Sequence, residues 1–410
     1  MKLIDNLTEK EYLSFFTKSK YNHFLQSYAW GQTCKVRKQI PIYFGLKDDK
    51  DKLVGACMAL KKELPLNLCY YYAPRGPLLD YDDSTLLEEF TKELKKYLKE
   101  HNAINFRIDP AIMYHEIDED ANPIENGKNN YELFNKFKDL GYKFKGFDKL
   151  SKLNQPRYTF RIDTKRSIEE IEKSMNKTFL KTIKRSYNYD LEVSDFYTAK
   201  DFYDLMKNIA NKNSFNGNPL VFYEEFNKNF TKYDGVKYIS ITLYPDKILS
   251  KAYNELEKIN KELETVLEKH KADLENQKAR IEKDIEMFKP YENKHKDGLL
   301  SLILICPHTD RAMWTLYIGN NELAEYTFSV NRAYYEAIKY ANEKGYDFLD
   351  LYGTCGDPHT EYKNYARIHE YKRKMGGTYT EFIGEYDLIN KKLMYIVMPK
   401  LMKIYRKLKR

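Results

Sequence analysis

The stretch NRAYYEAIKYANEKGYDFLDLYG, residues 331–353, decides how this chain is read. It reads as a helix stopped by Gly345, then a strand carrying an acid, Asp350. The same plan stands in YLKEHNAINFRIDP, residues 97–110, where the strand reaches Asp109 and is closed by Pro110. Each copy has a similar lead-in. LLSLILICPHTDRAMWTLYIGNN (299–321) is strand, turn, Tyr-containing strand and Gly, and so is VGACMALKKELPLNLCYYYAPRG (54–76). A plan of strands and helices laid down twice predicts an α/β fold of two tandem units. The length of 410 residues agrees, being too great for one ordinary core.

Between the two copies the pattern changes. Lys247 to Phe288 contains no Gly and no Pro and is mostly Glu, Lys, Leu, Ile and Asn. Leu249, Ala252, Leu256, Ile259, Leu263, Val266 and His270 recur at spacings of three and four. Continued, that phase meets Asp273, Gln277 and Arg280, which make no seam; restarted at Leu274 it gives Ile281, Ile285 and Phe288. A turn near 267–273 and an antiparallel helical hairpin follow, with one continuous dimerising helix as the rival. The expected organisation is a first unit over 1–150, a second over 151–245 and 297–390, the hairpin over 246–296, and a basic carboxy-terminal helix over 391–410.

Composition sets bounds. Hydrophobic residues at 42% and charged residues at 32% fit a soluble globular protein. The five cysteines, Cys34, Cys57, Cys69, Cys306 and Cys355, form no CxxC pair and read as reduced cytoplasmic thiols. No signal peptide is evident in MKLIDNLTEKEYLSFF, and the apolar run LLSLILIC (299–306) is far short of the ~20 residues of a membrane helix. The net charge of +8 permits contact with phosphates or an anionic membrane face, and MPKLMKIYRKLKR (398–410) sets basic and apolar residues at helical spacing suited to peripheral contact.

In HEYKRKMGGTYTEFIGEYDL, residues 369–388, three cations (Lys372, Arg373 and Lys374) run into Gly376–Gly377 and an alternating strand. With FLQSYAWGQ (24–32), YAPRGPL (72–78), INFRIDP (104–110), QPRYTFRID (155–163) and AIKYANEKGYDFLDLYGTCGD (337–357), in this order, the chain resembles the FemABX family of peptidoglycan-bridge aminoacyltransferases. The resemblance implies two tandem N-acetyltransferase-like (GNAT) units with an inserted helical hairpin similar to the tRNA-binding arm of seryl-tRNA synthetase. It implies transfer of Gly, Ala or Ser from aminoacyl-tRNA to the stem-peptide amine of lipid II or a related precursor, with no metal or organic cofactor. A homodimer, or a heterodimer with a paralogue, stays open. The R/Q-x-x-G-x-G/A loop of acyl-CoA users is absent, as are GxSxG, HExxH and P-loop patterns.

An aminoacyl ester is already activated, so the step needs a neutral amine, a held carbonyl and charge stabilisation at the oxyanion. The family's aromatic–Lys pair falls on Tyr371–Lys372, which makes Lys372 the expected oxyanion-stabilising cation. Asp109 is the expected partner of the incoming amine, and a strand-end cap is the alternative. Lys35, Lys184 and Arg185 are candidates for precursor phosphates; Arg75, Tyr317 and Tyr352, with Tyr371, are candidates for the peptide groove. Two rivals stay open: a GNAT-type acyltransferase with another donor or a soluble nucleotide-linked acceptor, and a catalytically idle scaffold paralogue.

Overall fold

The computed structural model describes residues 1–150, 152–213 and 217–408. Strands form where β-branched and aromatic residues stand between Gly and Pro: Ile40–Lys47, Leu53–Leu64, Leu68–Ala73 and Ala103–Ile108. The helix Ser84–Glu100 starts at Asp83, whose carboxylate accepts the Thr85 N–H. It buries Leu87, Phe90, Leu94 and Leu98, three or four residues apart, in a core shared with Phe44, Tyr71 and Phe106.

A seven-stranded sheet runs in the order Lys2–Ile4, Ile40–Lys47, Leu53–Leu64, Leu68–Ala73, Ala103–Ile108, Tyr386–Ile389 and Tyr142–Phe144. A five-stranded sheet runs Ala312–Trp314, Phe348–Thr354, Tyr158–Asp163, Thr378–Phe382 and Met113–Glu116. A four-stranded antiparallel sheet holds Tyr317–Asn320, Leu299–Pro307, Val236–Leu243 and Leu191–Ser194. Among the described strands each half has one parallel pair, Leu68–Ala73 with Ala103–Ile108 and Ala312–Trp314 with Phe348–Thr354. A parallel pair needs a crossover, and helices Ser84–Glu100 and Ser329–Glu343 supply the two. The α/β fold with its plan laid down twice is therefore present.

The strands do not sort by position in the chain. Tyr386–Ile389 inserts between Ala103–Ile108 and Tyr142–Phe144, while Met113–Glu116 pairs with Thr378–Phe382. This exchange crosses residue 150 in both directions. A cross-strand ion pair ties adjacent strands in each of the two larger sheets. Arg107 lies opposite Asp387 and grips it with two hydrogen bonds of 2.8 Å; Arg161 lies opposite Asp350 at 2.9 Å. Both arginines stand in the same tetrapeptide, Phe-Arg-Ile-Asp.

The insert is an antiparallel pair of helices, Pro245–Thr265 and Glu268–Phe288. Val266 leaves the helical region at ψ 145°, so one continuous helix is excluded and the turn sits at 266–267, on the early edge of the expected window. Ala252, Leu256, Ile259 and Leu263 meet Leu274, Ile281 and Ile285, and Leu249 with Phe288 root the arms on Tyr189, Leu243 and Leu323. The chain's last helix spans Lys392–Leu408; residues 409 and 410 of the expected basic helix lie outside the described residues. Among the described residues no helix is long and apolar enough to cross a membrane.

Candidate active site

The glycine turn at 376–377 is dictated by crowding. Gly376 has φ +76°, and a Cβ there would stand 2.5 Å from the Ser174 carbonyl oxygen; one on Gly377 would stand 3.0 Å from that of Arg161. Helix Lys363–Arg373 ends against this turn, and its last residues face different ways. Arg373 points outward to Glu370 at 2.8 Å and Glu119 at 2.9 Å, and Lys374 reaches toward Glu370. Lys372 points inward. Its ammonium donates to the Tyr352 carbonyl at 3.0 Å and the Gly353 carbonyl at 2.7 Å. Burial pushes its pKa down to about 8, and the Asp350 carboxylate opposes that shift. An ammonium has three N–H donors, so one is left for a further acceptor.

The two carbonyls are aimed by a bulge in strand Phe348–Thr354 between Asp350 and Gly353. Buried Asp350 accepts from the Thr159 hydroxyl at 2.5 Å, from Arg161 and from the Tyr352 N–H at 2.8 Å. That last bond holds Tyr352 at φ +59°. Gly353 has no alternative, since a Cβ would meet the Pro156 ring at 2.4 Å. The Tyr352 hydroxyl donates to the Gln155 side chain at 2.6 Å.

From residues 155–156 the network runs on to the first half. The Arg75 guanidinium donates to the Pro156 carbonyl at 2.7 Å and lies 4.2 Å over the Phe382 ring. Asp109, 3% exposed, accepts the Tyr72 hydroxyl at 2.7 Å and the Arg75 N–H at 2.6 Å. Burial pushes its carboxyl up to about 7 against the charge of Arg75. Both oxygens are thus engaged in fixing the turn at Arg75, whose φ is +57°. The strand-end cap describes this geometry better than a group exposed to an incoming amine.

The remaining candidates divide. Tyr317 is near enough to Tyr352 to act on its ionisation, and burial raises the pKa of both. The cation facing Tyr317 is Arg37, two residues past exposed Lys35; Arg37 donates to Asn218 at 2.7 Å and lies 4.3 Å over the Phe222 ring. Tyr371 does not join a groove: it packs between Phe179 and Tyr334 with its hydroxyl buried and unpartnered. Adjacent positions on a helix point about 100° apart, and here Lys372 turns to the bulge while Tyr371 turns to the core. Lys184 is exposed, and Arg185 lies 4.4 Å over Phe328 near Tyr189, beside a cavity of about 300 Å³ at the hairpin root. Neither cation joins the Lys372 network. Arg161 and Arg37 were not singled out from sequence; the repeated Phe-Arg-Ile-Asp was the available signal for the former, and none marked the latter. Burial raises the Cys355 thiol pKa, and His359 is exposed and paired with Asp120 at 2.9 Å, so no Cys–His pair forms. Among the described residues no cluster of His, Cys, Asp or Glu gathers as a metal site.

Comparison with known proteins gives the family and the fold. The family model described as the FemAB family matches residues 7–403. A lipid II:glycine glycyltransferase of Staphylococcus haemolyticus is 27% identical over 98% of this chain and 99% of its own length. An aminoacyltransferase FemB of Staphylococcus epidermidis is 28% identical over 98% and 99%, and an aminoacyltransferase FemA of Staphylococcus aureus 25% identical over 97% and 98%. Among solved structures, that of FemX has the same fold: TM-score 0.77, 22% identity, 97% of this chain and 100% of the other covered.

Proposed function

This chain belongs to the FemAB family, and on that premise we propose that it transfers an amino acid from aminoacyl-tRNA to the stem-peptide amine of lipid II or a related peptidoglycan precursor. One observation carries the chemistry: a half-buried lysine, held by two backbone carbonyls, with one N–H to spare. In this reading the neutral amine attacks the ester carbonyl, the C–N bond forms, and Lys372 donates its remaining N–H to the oxyanion. The ester C–O bond then breaks. The amine's proton leaves with the ribose hydroxyl, and the new amide stays on the precursor. No covalent enzyme intermediate is needed. Asp109 acts as a positioning residue that fixes Arg75, while Arg75, Tyr352 and Tyr317 line the acceptor's path, and Arg37 takes the anion-binding role expected of Lys35. Arg185, near the hairpin root, and exposed Lys184 beside it in sequence suit the tRNA side of the complex. The hairpin's exposed surface mixes cations and carboxylates, so it presents shape rather than a uniformly basic face.

The test combines the full-length protein, a charged tRNA pool and lipid II, with mass spectrometry of the stem peptide. A tRNA-dependent gain of one amino-acid residue is expected, and its mass names the donor. Absence of any gain on lipid II, bridge-extended lipid II and the soluble nucleotide-linked precursor would leave the scaffold reading in its place.

A further inference from the structure

The last helix of this fold is apolar on the side that faces solvent. Helix Lys392–Leu408 packs Met394, Tyr395, Met398 and Met402 onto Leu64, Leu68 and Ile104 of the seven-stranded sheet. A helix that only covers a sheet turns polar residues outward. Here Leu393, Ile396 and Leu401 point out, 69%, 61% and 46% exposed. Leu66 adds to them. It stands in the turn between strands Leu53–Leu64 and Leu68–Ala73, whose facing ends this helix covers, and is 76% exposed. Its φ is +63°, a conformation that Asn or Gly adopts at lower cost. Folding alone gives no reason for a leucine there.

The charge identifies what covers this face. Residues 391–410 carry eight Lys and Arg and no Asp or Glu. That equals the chain's whole formal charge of +8, so residues 1–390 balance to zero. Exposed Lys143 adds an ammonium group 5.6 Å from the Tyr395 ring. A second copy docked here would bring two such cationic segments together, which like-charge repulsion opposes. An anionic bilayer accepts both the leucines and the lysines.

We propose that helix Lys392–Leu408 and the Leu66 turn form a docking surface for an anionic phospholipid bilayer, the helix lying in the interface without crossing it. The inference deepens the proposed function, because it holds the enzyme where a lipid-linked acceptor diffuses. The test is co-sedimentation of the full chain with phosphatidylcholine vesicles with and without phosphatidylglycerol. Wild type partitions onto the anionic vesicles at least about tenfold better, and added salt weakens it. Leu393→Glu with Ile396→Glu lowers that partition by about tenfold or more. Leu66→Asn lowers it a few-fold while leaving the melting temperature unchanged or raised, which guards against a merely unfolded variant. Equal partition onto both vesicles, no partition, or variants that bind like wild type would each overturn the proposal. So would a dimer in sedimentation velocity that the double variant dissolves, which assigns the face to a second copy. The same proteins are assayed on detergent-dispersed lipid II. Wild type inactive there sinks the transferase reading and leaves the vesicle result standing; the double variant is expected to match wild type there and to lag only on vesicle-embedded lipid II.

Discussion

Lys372 owes its position to two carbonyls and a bulge, and its depressed pKa to burial, rather than either to its neighbours in sequence. Removing an oxyanion donor costs about 100-fold or more in rate, so Lys372→Met is expected to lower kcat by about that factor with KM nearly unchanged. The sign of the pH dependence follows from the depressed pKa. Lys372 is a cation below about 8 and neutral above it, so wild-type transfer falls as pH rises through about 8. Any residual activity of Lys372→Arg lacks that limb, because a guanidinium stays charged. Asp109 predicts a stability effect of the other kind. Its folded pKa of about 7 lies above the ordinary 3.8, so native Asp109 binds its proton more tightly than the unfolded chain does, and stability is lost as pH rises from about 4 to about 7. Asp109→Asn removes that term: the difference in melting temperature between variant and wild type grows in the variant's favour across the window, and transfer falls less than about tenfold, as for a group that positions Arg75. At this scale the sequence was readable only in part. The basic run before Gly376 drew attention to the segment that carries Lys372, but nothing local tells an inward lysine from the outward Arg373, or a core Tyr371 from a groove tyrosine. Lys35 and Arg37 are both exposed, and what separates them is a contact of Arg37 with Asn218, far along the chain.

Elements were far more legible, because caps, glycines and spacing act within a few residues. The hairpin was predicted from a broken three-four rhythm, and the break is where the chain turns. Its two levels make different predictions. Leu249 and Phe288 at the root share a core with Tyr189 and Leu323, whereas Ile259 and Ile281 belong to the seam between the two arms. Ile259→Ala is therefore expected to cost about 2 kcal/mol locally, read as faster amide exchange in 253–281 with the global melting temperature almost unmoved. A comparable loss of global stability would mean the arms are part of the main cooperative unit. The glycine turn is the opposite case. Gly376→Ala pushes a methyl into the Ser174 carbonyl at positive φ, and a global loss of at least about 2 kcal/mol is expected by chemical denaturation, together with displacement of Lys372 and loss of transfer.

The whole molecule is tied together by pairings that no local signal announces. Nearly 280 positions separate Arg107 from Asp387, and strands Ala103–Ile108 and Tyr386–Ile389 carry the same alternating pattern whichever partner they choose. Reading two units from the repeated plan captured the two helices and the strands that follow them, though not their parallel pairing; the exchange of Met113–Glu116 and Tyr386–Ile389 between sheets was invisible. It has a direct consequence for folding. A fragment spanning residues 1–150 lacks the strand that fills the gap between Ala103–Ile108 and Tyr142–Phe144, so it exposes two unpaired edges and leaves Arg107 without its carboxylate. That fragment is expected not to fold alone, giving poorly dispersed amide spectra and no cooperative melt, while the full chain melts with its two halves coupled. Asp387→Ala tests the same linkage in the intact chain. It takes one of two carboxylates from Arg107, leaving Glu385 at 3.3 Å, and removes a partner from Lys145 and the Tyr395 hydroxyl, at a cost of about 2 kcal/mol. Because Asp387 lies in the returning strand, exchange protection is expected to fall at Ala103–Ile108 as well as at Tyr386–Ile389. Protection lost only near the carboxy terminus would show that the first sheet stands without its exchanged strand.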